Sequence, residues 1–378
     1  MPLLTTVLGL AQRLRRERFL LALLLPAVLW ALVHPHDALN YPQAIDWPTL
    51  ATLAALLALT QGLQSSGALA PLALRLMHHL DSPRRLALFL VLAAAALSTV
   101  LTNDVALFIT VPLTLTLRGR ADLPVARLVI FQAMAVNAGS LLSPIGNPQN
   151  ILLWQQSGLS PAAFVAQMAP LALASLATLL ALTAAVFSGQ PCAPAPDAGR
   201  SATDRPLLAL SCALYGLFLL ALHLQQPLAG LALTLAGLAA LRWRLLLKVD
   251  WPLLAVFALM FIDIQLLASL PLINTALTEL AGAGETVRYL GAVGLSQLIS
   301  NVPATMLLLH SQPPGALLAY AVNVGGYGFV LGSLANLIAL RQLGAEGRWG
   351  AFHAWSVPLL GLNLLLGWLL LRVWPGLA

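Results

Sequence analysis

Residues 86–117 form an apolar run closed by basic residues at both ends, Arg85 before it and Arg118 and Arg120 after it. One helix over this run would be about 48 Å long at 1.5 Å per residue, against roughly 30 Å of bilayer hydrocarbon. It would also leave basic clusters on opposite sides of the membrane. Two full spans need about 40 residues and a turn. Two half-length helices fit: the chain enters from the cytoplasm, turns inside the membrane near "STVLTND" (98–104) and returns. Backbone that turns at that depth is tolerated only where protein lines a cavity. The turn carries Thr102, Asn103 and Asp104, and no other charged residue lies between Arg85 and Arg118.

Composition generalises this local argument. The chain is 60% hydrophobic and 8% charged, whereas soluble domains carry about 25% charged residues. An all-α polytopic membrane protein is the fold class that follows. The net charge of +6 is spread over short clusters between apolar runs, where it sets topology and does not indicate nucleic acid. Cys192 and Cys212 have no metal-ligand spacing and form no disulfide framework. No small-residue cleavage site follows the first apolar run, so that run is expected to stay as an anchor.

Arginines 13, 15, 16 and 18 place residues 1–18 in the cytoplasm. The first repeat is expected over 19–187, with helix 1 at about 19–34 and helix 2 from Trp47-Pro48 to near Arg75. Its hairpin covers about 86–117 and its broken helix about 125–154, followed by a return helix at 161–187. The break falls in "NAGSLLSPIGNPQN" (137–150), whose Gly, Pro and Asn residues cannot continue a lipid-facing helix. A Pro/Ala-rich cytoplasmic linker follows at 188–205, then a connecting helix at 206–223. The second repeat is expected over 227–374. It holds an external loop bearing Glu279, Glu285 and Arg288, a hairpin at about 289–312, a broken helix at about 316–340 around "NVGGYGFVLGSLAN", and a last helix from 352. On this map only Arg288 and Arg372 among the 19 basic residues face outside.

The two halves echo each other. "IDWP" (45–48) answers "VDWP" (249–252), "LSTVLTN" (97–103) answers "LSQLISN" (295–301), and "AVNAGSLLSPIGNPQN" (135–150) answers "AVNVGGYGFVLGSLAN" (321–336). Three collinear matches of Asn, Gly and Pro in a Leu/Ala background indicate duplication. The matched elements have opposite orientation on the map. An inverted-topology repeat with two re-entrant hairpins and two broken helices is the architecture of secondary transporters, whose sites lie where the interrupted helices meet.

The candidate substrate- and ion-binding residues are therefore Thr102, Asn103, Asp104, Asn137, Ser143, Gly146, Asn147, Asn150, Ser300, Asn301, Asn323, Gly325, Ser333 and Asn336. Asn103 and Asn301 are the repeat-related pair at the tips; a side-chain amide supplies both donor and acceptor. Asparagines at the breaks either bind or satisfy freed backbone groups. Asp104 and Asp263 are the two acids inside apolar spans, where an ionisable group is a functional hypothesis. For Asp104 the reading is coupling-ion or proton handling, and the alternative is a cap on a returning half-helix. Asp263 is a proton site or a scaffold hydrogen-bonding residue. No metal site and no cofactor beyond a coupling H⁺ or Na⁺ is expected.

These residues bring a family into view. "LTNDVALFITVP", "NAGSLLSPIGNPQNILLW" and "ISNVPA" resemble the citrate-transporter-like branch of the ion transporter superfamily, which includes the arsenite permeases, with sodium/proton antiporters and sodium-coupled dicarboxylate symporters as relatives. The likeness extends over about 45–374 and is nearest to small bacterial inner-membrane anion permeases. It implies a scaffold, a moving transport domain built from hairpins and broken helices, and a homodimer. The tips depart from the Ser-Asn-Thr pattern of the dicarboxylate symporters: they read Thr102-Asn103-Asp104 and Ser300-Asn301-Val302. The expectation is an inner-membrane secondary transporter with a cytoplasmic N-terminus. It would move a small oxyanion, carboxylate or metalloid species by alternating access, coupled to H⁺ or Na⁺. A cation/proton antiporter is the alternative; a membrane-embedded enzyme and a passive channel are the alternatives from other classes. No Lys or Arg lies within the hairpins, so an anion would be held by backbone N–H groups, dipoles or the coupling cation.

Overall fold

A computed structural model describes residues 18–80, 82–118, 123–191, 203–344 and 349–373. The N-terminal segment before Arg18, most of the 188–205 linker and Cys192 lie outside the described residues. Among those residues every regular element is helical.

In chain order the helices are α1 Arg18–Val33, α2 Pro35–Ala38, α3 Tyr41–Ala44, α4 Trp47–Ser65, α5 Leu69–His79, α6 Pro83–Val100, α7 Asn103–Leu115, α8 Val125–Ser140, α9 Pro148–Ser157 and α10 Pro161–Val186. After the linker come α11 Arg205–His223, α12 Pro227–Arg242, α13 Trp251–Ser269, α14 Pro271–Gly282, α15 Glu285–Ile299, α16 Asn301–Leu309, α17 Ala316–Val324, α18 Leu334–Leu343 and α19 Trp349–Val373. Short 3₁₀ helices occupy Trp243–Lys248 and Val330–Gly332. Among the described residues six helices are long and apolar enough to cross a membrane. The chain is an all-α polytopic membrane protein.

Local sequence explains most helix starts. Proline opens α6, α9, α10 and α12, where a missing N–H costs nothing. Side chains of Ser82, Thr102, Asn147, Ser160 and Asp250 accept from backbone N–H groups three residues on, as N-caps do. Gly158, at φ 68°, closes α9 in the left-handed conformation.

Three details differ from the sequence reading. Helix 2 does not run on to Arg75: Gly67 at φ 74° separates α4 from α5. The expected external loop contains a helix, α14. The two helices of the expected first hairpin are not both half-length: α6 is one of the six long enough to cross a membrane, and α7 is shorter. α6 has 18 residues and α7 has 13, because α6 starts at Pro83 and includes both arginines, ahead of the apolar run.

The chain forms two compact units, each assembled from both halves of the sequence. One comprises Met1–Ser65 and Arg205–Asn274, the other Ser66–Asp204 and Thr275–Ala378. In the first, α4, α11 and α12 pack together and α13 packs on α1. The second holds every tip and both breaks. Its centre is α8, buried from Leu128 to Ser140, as expected of a helix apolar all round. Around it lie α6, α7, α10 and α18. Large apolar side chains such as Leu173, Leu365 and Leu369 face outward from α10 and α19, which suits lipid contact.

Candidate functional site

In the second unit the chain breaks its helices at four places. α6 and α7 are separated by two extended residues, Leu101 and Thr102. α15 and α16 are separated by Ser300 alone. α8 stops at Ser140 and α9 begins at Pro148; α17 stops at Val324 and α18 begins at Leu334. The two long breaks are joined by asparagine side chains.

The amide of Asn137 donates to Asn336 Oδ1 at 3.0 Å and to the Gly326 carbonyl at 3.0 Å, while its Oδ1 accepts from the Ser333 hydroxyl at 3.1 Å. The amide of Asn323 donates to Asn150 Oδ1 at 2.7 Å, while its Oδ1 accepts from Asn147 Nδ2 at 3.1 Å. Positions 137, 147 and 150 plus 186 are 323, 333 and 336. The side-chain contacts thus correspond with the halves exchanged, Asn137–Asn336 to Asn323–Asn150 and Asn137–Ser333 to Asn323–Asn147, whereas the other N–H of Asn323 donates to Ala319 in its own helix and has no cross-half partner like Gly326. Asn150 Nδ2 also reaches the carbonyls of Ser140, Leu141 and Ser143, and Asn336 Nδ2 reaches those of Gly326 and Phe329. The amides thereby satisfy carbonyls that the interrupted helices release.

The same correspondence governs how each helical pair meets the neighbouring break. A Cβ on Gly139 would lie 2.0 Å from the Ala95 carbonyl oxygen and 2.5 Å from Ser98 Oγ; one on Gly325 would lie 2.4 Å from Ser296 Cβ. Only glycine permits either approach. The Thr99 hydroxyl donates to the Gly139 carbonyl at 3.1 Å, and Gln297 Nε2 donates to the Gly325 carbonyl at 2.7 Å. Positions 98 and 99 plus 198 are 296 and 297. Thr99, Gln297 and Ser140 are residues that the sequence reading does not single out, although all three lie inside the matched stretches, which carry the signal.

The tips complete the arrangement. The backbone N–H of Asn103 donates to the Gly146 carbonyl at 3.0 Å, and its Oδ1 accepts from the Asp104 N–H at 2.9 Å. Asp104 Oδ1 is buried without a hydrogen-bond partner. Asn301 is 2% exposed and its Nδ2 is likewise unpartnered. That nitrogen lies 3.3 Å from where a Cβ of Gly326 would stand, beside Asn137 Cγ at 3.4 Å. A buried donor and a buried carboxylate oxygen thus stay open on elements that flank the asparagine lattice. Among the described residues no group of three His, Cys, Asp or Glu could hold a metal.

Of the sequence-derived candidates, Asn137, Asn147, Asn150, Asn323, Ser333 and Asn336 share this lattice. Asn103, Ser143, Gly146 and Gly325 join it through backbone groups, and Thr102, Asp104, Ser300 and Asn301 form the tips. Asp263 is not among them: it sits in α13 of the other unit. Both of its carboxylate oxygens are buried and lack hydrogen-bond partners, so the scaffold hydrogen bond considered for it is absent. Nearby Tyr41, between α1 and α4, has its phenol pushed above its ordinary value by burial and then by the charges of Asp263 and Asp37.

The citrate transporter family model matches residues 7–312. The chain belongs to that family. Inner membrane protein YbiR of Escherichia coli (strain K12) is 48% identical over 377 residues, 99% of each chain. An uncharacterized transporter of Methanocaldococcus jannaschii is 30% identical over 311 residues, 82% of this chain and 84% of that one. A shorter match, 29% identical over 153 residues, links 40% of this citrate transporter family member to 32% of the silicon efflux transporter LSI3 of Oryza sativa subsp. japonica. The family and these relatives place the chain among membrane transporters.

Proposed function

We propose that this protein is a secondary active transporter of the inner membrane that moves a small oxyanion, carboxylate or metalloid species by alternating access, coupled to H⁺ or Na⁺. The observation that carries the reading is the exchange-related lattice: Asn137 to Asn336 and Asn323 to Asn150. Two interrupted helices whose freed carbonyls are satisfied by asparagine amides, and whose side chains bond one another, form a protein-lined polar region, the setting in which transporters bind. The recurrence of corresponding contacts at offsets of 186 and 198 supports an inverted duplication, with α6/α7 and α15/α16 as re-entrant hairpins, and the arginines at 13, 15, 16 and 18 support an N-terminus in the cytoplasm.

Within this reading Asn103, Asn301 and the break asparagines contact substrate or ion, and Asp104 handles the coupled cation. Its open carboxylate oxygen also favours a second reading, a cation/proton antiporter. The absence of Lys and Arg from residues 86–117 and 289–312, around both tips, suits a substrate held by amides and backbone N–H groups. The silicon efflux relative keeps uncharged metalloid species in the substrate class.

Reconstituted protein in liposomes tests this directly. Flux of phosphate, dicarboxylates, arsenite and silicate is followed with and without an imposed pH or sodium gradient. Uphill accumulation of one of them, dependent on one gradient, is the expected result. Proton-for-sodium exchange with none of the substrates moving selects the antiporter. Flux of a substrate that only equilibrates under every gradient would make the protein a channel.

A further inference from the structure

Away from the breaks, α15, the turn after α16 and the end of α19 enclose a cavity of about 200 Å³. Its walls include Glu285 and Arg288 from the first turn of α15, Gln312 and Gly315 from the turn, and Trp368 and Arg372 from α19. None belongs to the asparagine lattice or to the tips.

Three observations bear on what it holds. First, two donors there have no acceptor. Gln312 is 5% exposed and its Nε2 is buried and unpartnered; the Nε of Arg288 is buried and unpartnered as well. Buried donors without acceptors are costly and uncommon, so two of them lining one cavity point to an absent acceptor. Second, the remaining cation is fixed in position. The Arg372 guanidinium carbon lies 4.3 Å from the Trp368 ring centroid, and its Nη2 stands 3.6 Å from Glu285 Oε2. With two arginines and one glutamate, the lining carries one net positive charge. Third, Arg288 and Arg372 are the two basic residues that charge patterning leaves outside, on a chain whose other cations gather on the opposite face. Although 84 positions apart, they meet at one cavity.

We infer that this cavity is a binding site for an oxyanion group, a carboxylate or a phosphate, held by Arg288 Nε and Gln312 Nε2 and attracted by Arg372. The same chemistry comes from two sources: a free anion of the outer aqueous phase, or the phosphate of a lipid headgroup. The pocket stands independently of the transport reading; only its placement on the outer face rests on the proposed topology.

The test uses the full chain, purified and delipidated in detergent. One arm titrates inorganic phosphate and succinate calorimetrically at low ionic strength. The other measures retention of phosphatidylglycerol by native mass spectrometry, with diacylglycerol as the phosphate-free control. Saturable binding is expected in at least one arm. Phosphate or succinate binding identifies a free anion, and retention of phosphatidylglycerol alone identifies the headgroup. Arg288→Gln should weaken the binding by about tenfold, and Gln312→Leu by a smaller factor, as loss of charge-assisted and neutral donors respectively implies. Glu285→Gln should tighten it several-fold by removing the competing carboxylate. Gln312→Leu breaks no hydrogen bond of its side-chain nitrogen, so its unfolding temperature without anion should match wild type. No saturable binding in either arm overturns the site. So does binding that Arg288→Gln and Glu285→Gln leave unchanged. If Arg288→Gln does not fold, the direction of the Glu285→Gln effect decides alone.

Discussion

The two helix tips carry the same asparagine in different chemical circumstances. At the first, Thr102 is extended at φ −84° and its hydroxyl caps α7 by accepting from Val105, while Asn103 is tied by its backbone N–H to Gly146. At the second, Ser300 stands at φ 75°, ψ 153°, a region that only glycine occupies at ease. It caps nothing with its side chain, and Asn301 keeps an open amide. Position 104 is Asp, whereas its counterpart 302 is Val. Behind the tips, by contrast, the breaks share two corresponding side-chain contacts, Asn137–Asn336 with Asn323–Asn150 and Asn137–Ser333 with Asn323–Asn147. The frame is thus shared by the two halves while the tips differ, with charge on one and strain plus an open donor on the other. This is the pattern expected where function departs from local structural consistency.

The largest effect should come from the charge. Asp104→Asn should reduce gradient-driven flux in liposomes to the level of protein-free vesicles. The double variant Asp104→Asn/Val302→Asp sharpens the comparison: restored coupling would mean the tips are interchangeable, and continued loss that they are not. Next come the close approaches. Gly139→Ala should lower stability by about 3 kcal/mol, because the new methyl meets a helix carbonyl that cannot move aside. Gly325→Ala meets a serine side chain and should cost less, about 2 kcal/mol. Thermal unfolding in detergent reports both, and a reversed order would break the correspondence drawn between them.

Smaller effects test the lattice. Asn137→Ala and Asn323→Ala should each destabilise by about 1 kcal/mol and by similar amounts, since each loses two corresponding cross-half side-chain bonds and one bond to a backbone carbonyl. A large inequality would show that one break bears the structure and the other does not. The smallest change is at the tip. Ser300→Gly should raise the unfolding temperature slightly, by up to about 1 kcal/mol of stability, through relief of strain. Thr102→Gly should lower it by a few tenths of a kcal/mol through the lost cap. A fall with Ser300→Gly would remove the strain from the account.

Much of this frame was legible in the chain. A 137–150 stretch with Gly, Pro and Asn in an apolar setting has no helical solution, and the duplicated stretches aligned residues that do contact equivalent partners. What escaped has physical reasons. The start of α6 at Pro83 is set by a proline and a capping serine outside the apolar run, which hydropathy does not see. α14 is short and mixed in character, so neither length nor hydropathy marks it. Thr99 and Gln297 play matched roles with different chemistries, a hydroxyl in one half and an amide in the other, so residue identity hides them. Asp263 resembles Asp104 in sequence, and both keep unpartnered carboxylate oxygens, yet they lie in different units, which an apolar run does not reveal.

The lattice also has a consequence for how the protein is made. Asn150 and Asn323 are 173 residues apart in the chain. At about 5–20 residues per second of synthesis, on the order of ten to thirty seconds separate their emergence from the ribosome. Throughout that interval the first break has been translated while its amide partners do not yet exist. The nascent first half must be shielded by the insertion machinery or held in another conformation until the second half arrives to close it.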